Sequence, residues 1–112
     1  MTIQIKKTYR GINPEMLRDE IRALVQKQEI VVDEAKLQTY PLPSGSTQSR
    51  VTLTFKTQTA RRKECGYARI IGSPEGDTKL LLDLDEKLIP QETISNIQED
   101  LDFILGSYEI KW

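Results

Sequence analysis

Hydrophobic residues recur along this chain with two different periods, and the period changes at turn-forming residues. Over residues 2 to 9, Ile3 and Ile5 alternate with polar neighbours and the run ends at Arg10-Gly11, which predicts a first strand. Asn13-Pro14 then opens a helix. Asn13 is a good N-cap, and Pro14 suits the first helical position because its missing donor costs nothing there. Leu17, Ile21, Leu24 and Val25 follow at i, i+4, i+7 and i+8, one apolar stripe that predicts a helix over 14–28. Residues 29–40 carry Ile30, Val31, Val32, Ala35, Leu37 and Tyr40, a long or broken second strand.

Residues 41–49, rich in Pro, Ser and Gly, read as a loop. Val51, Leu53 and Phe55 then alternate with Thr52, Thr54 and Lys56, the cleanest one-sided strand of the chain. A polar, basic turn over 57–64 leads to a fourth strand at about 65–71. A turn at 72–77 leads to a fifth strand at about 78–84. Pro90 opens a second helix to residue 105, with Ile94, Ile97, Leu101, Ile104 and Leu105 as its stripe and Gly106 where a stop is expected. Tyr108, Ile110 and Trp112 alternate with Glu109 and Lys111 as a terminal strand.

The order is β-α-β-β-β-β-α-β. Short turns join the second to fifth strands into an antiparallel meander. Each helix has one apolar stripe and the clean strand one apolar face. The expected fold is therefore α+β: a two-layer sandwich, with a mostly antiparallel sheet of five to six strands and two helices packed on one face. The plan is similar to a ferredoxin-like one with an added hairpin, an analogy of architecture that names no function. With 112 residues and no linker or repeat, the chain reads as a single domain over 1–112.

Composition removes most chemistry. The chain has no histidine, so Ser-His-Asp and Cys-His catalysis and the usual general base near neutral pH are excluded. One cysteine, Cys65, permits no internal disulfide, and without histidine it supplies none of the usual zinc sets. No cofactor motif is present, and Gly72-Ser73-Pro74-Glu75-Gly76 lacks the ending of a phosphate loop. The N-terminus has no signal-peptide pattern and the longest apolar runs are short, so a cytoplasmic protein without membrane contact is expected.

Net charge is −1, but it is unevenly spread. Residues 50–69 hold six bases against Glu64, whereas residues 70–112 hold ten acids against three bases. The basic turn makes Lys56, Arg61, Arg62 and Lys63 the candidate binding residues, able to grip phosphates or an acidic partner. Alternation of turns between sheet ends also brings Asp83, Asp85 and Glu86 to the same end, where they would cancel that field. The same three acids, through their oxygens, are a lesser candidate for Mg²⁺ or Ca²⁺.

The leading expectation is a non-enzymatic binding or accessory module, using an exposed sheet face or an edge strand to contact another protein or itself. A small-molecule site between helices and sheet comes second. Nucleic-acid binding through the turn at 56–63 comes last, because no nucleic-acid signature accompanies the bases.

Overall fold

The computed structural model describes residues 2–59, 61–73 and 76–110, apart from the side chains of Glu34 and Ala35. Five strands form one antiparallel sheet in the order β1-β5-β4-β3-β2: β1 is Thr2–Tyr9, β2 Val31–Pro41, β3 Thr47–Lys56, β4 Glu64–Gly72 and β5 Thr78–Asp85. The meander of β2 to β5 is as expected. The first strand closes it on the far side, pairing Ile5 with Leu82 and Tyr9 with Thr78. The expected terminal strand is reduced to an antiparallel bridge between Tyr9 and Glu109. There the Arg10 N–H donates to the Tyr108 carbonyl (2.7 Å), and the Ile110 N–H donates to the Thr8 carbonyl (2.8 Å). Lys111 and Trp112 lie outside the described residues.

The two helices, α1 (Pro14–Lys27) and α2 (Gln91–Leu105), pack on one face of the sheet. The Asn13 side chain accepts a hydrogen bond from the Met16 N–H at 2.8 Å, the cap its sequence implied, worth about 1 kcal/mol. Leu17, Ile21, Leu24 and Val25 are all buried. Helix α1 lies over β2, β3 and β4. Leu101 of α2 and Ile5 of β1 line one small depression, and Asp102 reaches Lys7 at 3.6 Å, so α2 covers the β1 side of the sheet. Between the layers, Ile5, Tyr9, Leu80, Leu82, Leu84, Ala68, Ile70, Val51, Leu53 and Phe55 complete one continuous core with the helix stripes.

Four local features differ from the sequence reading. The loop expected over 41–49 is only a tight turn at 42–46, because Leu42 N–H donates to Ser46 O (2.8 Å) and Gly45 takes the left-handed φ of 89° that such a turn needs. Helix α1 ends at Lys27. Gln28 caps it, and Glu29 then enters the left-handed region at φ 62°, a conformation costing a non-glycine residue about 1 kcal/mol. Gly106 does not stop α2 by a left-handed turn. Its φ and ψ remain helical at −58° and −32°, and the chain tightens into a 3₁₀ turn, Gly106–Tyr108, before meeting β1. Ile104, assigned to the buried stripe of α2, is 40% exposed at its margin.

Strand β2 is broken in one place. Its pairing with β3 skips between Val32 and Glu34, a bulge at Asp33. A second irregularity lies between β3 and β4. Phe55 pairs with Gly66 and Lys56 with Glu64, so Cys65 is the extra residue and turns its thiol into the core.

Candidate functional site

The helices cover one face of the sheet and leave the other open to solvent. Registers place side chains on that open face in rows. One row, read across the sheet, is Lys6, Leu81, Arg69, Thr52 and Lys36. The next is Thr8, Lys79, Ile71, Arg50 and Gln38. Two neighbouring rows thus draw five cations from five strands, and neither holds an acid. The row on the other side of Lys6 contains Gln4, Asp83 and Tyr67, and Gln4 Nε2 donates to Asp83 Oδ2 at 3.2 Å.

Each strand supplies its base because side chains alternate across a pleat. Several of the alternate positions face the core and are apolar, as with Ile5 beside Lys6, Val51 beside Arg50, Ile70 beside Arg69 and Leu80 beside Lys79. Leu81 and Ile71 are half-buried and form the floor of a shallow depression of about 440 Å³, with Lys6, Arg69 and Lys79 at its rim. Two of the face's arginines are held over aromatic rings. Arg69 lies 4.9 Å from the Tyr67 ring centroid and Arg50 lies 5.1 Å from that of Tyr40. Both side chains are exposed, and each guanidinium group lies over its ring.

The four residues singled out by sequence occupy a different place. Arg61, Arg62 and Lys63 are exposed in the turn between β3 and β4, at one end of the sheet. Lys56 ends β3 and pairs with Asp33 at 2.8 Å, and this contact holds the Asp33 carboxyl below its ordinary range, with Arg62 adding to the effect. Asp85 does come to the same end, where its charge and that of Glu64 act on Cys65. Among the described residues, however, no ion pair joins Arg61, Arg62 or Lys63 to Asp83, Asp85 or Glu86. Asp83 is engaged by Gln4 on the open face, and Asp85 Oδ1 accepts from the Lys87 N–H at 2.8 Å. Asp33, in the bulge of β2, is the acid that faces this end instead.

Other chemistry is sparse. Among the described residues no group of three His, Cys, Asp or Glu side chains is placed to hold a metal ion, and no helix is long and apolar enough to cross a membrane. Burial, with the charges of Asp85 and Glu64 acting in the same direction, pushes the Cys65 thiol up to about 11. The nearby arginines do not activate it. Depressions between the layers measure about 210 Å³ beside Ile5 and Leu101 and about 240 Å³ beside Cys65 and Ile89, below the roughly 300–1,000 Å³ usual for small-molecule pockets.

A second surface feature sits on the helical layer. Phe103 is two residues from buried Leu101 and two from buried Leu105, which puts it on the far side of α2, 89% exposed. Glu92, Asn96 and Glu99 share that outer side at helical spacing. The sequence carried the signal for Phe103 in its spacing. Nothing local in the sequence carried the signal for the open face, since its five bases lie between residues 6 and 79. The chain matches no protein-family model, no curated protein and no solved structure.

Proposed function

We propose that this protein is a non-enzymatic binding module that engages an acidic protein surface through the open face of its sheet. The observation that supports this reading is the pair of rows holding Lys6, Lys36, Lys79, Arg50 and Arg69 with no acid among them. In a chain whose net charge is −1, such clustering creates a local positive field that the whole molecule lacks. The Leu81–Ile71 floor adds an apolar centre inside a charged rim, the usual anatomy of a protein contact. Absence of histidine favours binding over catalysis, and a buried free thiol fits a reducing, cytoplasmic setting.

A protein partner is favoured over nucleic acid for a physical reason. Single strands gain much of their affinity from bases stacked on bare aromatic rings. Here Tyr67 and Tyr40 are already occupied by Arg69 and Arg50.

The test is fluorescence anisotropy of a labelled polyglutamate peptide at low salt. The comparison is between the wild type, a face variant (Lys6→Glu, Arg69→Glu, Lys79→Glu) and a turn variant (Arg61→Glu, Arg62→Glu). The face variant is expected to lose binding at least tenfold, the turn variant to keep it, and wild-type affinity to fall as salt rises. Loss confined to the turn variant, or no peptide binding by the wild type, refutes the reading. Tighter binding of an oligonucleotide than of the peptide, with a steep salt slope, replaces it with a nucleic-acid function.

A further inference from the structure

The open face has a counterpart on the other side of the same molecule. Phe103 stands out from α2 with Glu99 one turn before it and Glu92 further along the same side. Helix α2 carries four acids and no base. Asp100 reaches Lys27 at 3.5 Å and Asp102 reaches Lys7 at 3.6 Å, whereas Glu92 and Glu99 make no ion pair among the described residues. Among the described residues Phe103 is the most exposed large hydrophobic side chain, at 89%, and it stands beside these two acids and next to Ile104, 40% exposed.

The sheet offers the matching shape and sign. The depression of about 440 Å³ has an apolar floor, Leu81 and Ile71, wide enough to receive one aromatic ring, and Lys6, Arg69 and Lys79 stand around it. The aromatic knob and its acids lie on the outside of the helical layer. The hollow and its bases lie on the outside of the sheet. One molecule cannot bring the two together, but two molecules stacked in the same orientation can.

We infer that the occupant of the open sheet face is a second copy of this chain, seated head to tail with Phe103 in the hollow and Glu99 and Glu92 against Lys6, Arg69 and Lys79. The inference rests on the open face being the docking surface. It adds the identity of the partner and the geometry of the contact. Because the two patches differ, the contact is heterologous, and each added copy presents a fresh hollow at one end and a fresh phenylalanine at the other. Assembly grows with concentration and weakens with salt, since charge complementarity supports it.

Sedimentation velocity of the full chain tests this, with two blocked variants. Phe103→Lys disables the knob and Arg69→Glu disables the hollow. Both positions are exposed, so folding is preserved, and circular dichroism melting verifies it. The wild type is expected to form dimers and larger species as concentration rises from micromolar to millimolar. Each variant alone is expected to remain monomeric, its dissociation constant raised at least about 30-fold, as for a central aromatic anchor. Mixed together, the two are expected to give a one-to-one heterodimer and nothing larger, because the Arg69→Glu chain keeps its knob and the Phe103→Lys chain keeps its hollow. A monomeric wild type at all concentrations overturns the inference, and the peptide titration then decides the open-face reading by itself. Dimers that survive either substitution, or a mixture that fails to associate, also overturn it.

Discussion

Replacing Gly66 by alanine tests the closest approach in the sheet. A Cβ built on Gly66 would lie 2.3 Å from the Asp83 carbonyl oxygen and 3.3 Å from the Asp83 carbonyl carbon and the Leu84 Cα. Relief to the 3.0 Å that real side chains tolerate requires a shift of 0.7 Å. The obstacle is backbone, so no side chain can swing aside. Strand β5 is held by β4 on one side and β1 on the other, and β4 is already bulged at Cys65. Overpacking of this kind costs about 3 kcal/mol. Alanine returns about 0.5–1 kcal/mol by narrowing the unfolded ensemble. The net loss is about 2 kcal/mol, which for a domain of this size lowers Tm by roughly 8 °C. Gly106→Ala is the control. Its φ and ψ are already helical and nothing lies within 4 Å of the added carbon, so a gain of about 0.5–1 kcal/mol is expected. Thermal and urea unfolding followed by circular dichroism measures both. A Gly66→Ala variant as stable as the wild type would refute the strand spacing on which the argument depends.

Two further outcomes follow from buried groups. The Tyr9 hydroxyl is buried without a hydrogen-bond partner among the described residues, and burial followed by the charges of Glu109 and Asp102 raises its pKa. Tyr9→Phe is therefore expected to raise stability by about 1 kcal/mol in urea unfolding, and a loss instead would mean that the hydroxyl is bonded. Cys65 ionises near 9 when exposed and near 11 when folded, so from pH 9 to 11 the unfolded chain releases a proton that the folded one keeps. Stability is expected to fall through that window relative to Cys65→Ala, and iodoacetamide is expected to label the thiol only in denaturant. Rapid labelling of the native protein at pH 8 would contradict its burial.

Fold and surface were unequally legible in the chain. The stripe Leu17, Ile21, Leu24, Val25 and the alternation Val51, Leu53, Phe55 each state their own geometry, because period alone fixes which side is buried. The two layers followed from those faces. The open-face cluster did not, for a physical reason. Alternation says that Lys6, Arg69 and Lys79 point outward, but only strand order and register say that they lie side by side. Arg50 and Arg69 belong to the excess bases of 50–69, but adjacency in sequence points to Arg61, Arg62 and Lys63 instead. Phe103 is legible by helical spacing, since it falls two residues from each of Leu101 and Leu105. The extent of β2 and β3 depended on the turn at 42–46, whose hydrogen bonds absorb a stretch that composition alone marks as loop.

The position of β1 has a consequence for how the protein is made. The ribosome delivers Thr2–Tyr9 long before the partner of that strand, Thr78–Asp85. At ordinary elongation rates the wait is about 4 to 15 s. Throughout it, Ile3, Ile5 and Tyr9 have nowhere native to go, while hairpins β2–β3 and β3–β4 can already zip as they emerge. A nascent chain of this design therefore zips β2 to β5 in the order of their synthesis and docks β1, made before them all, only once β5 has emerged.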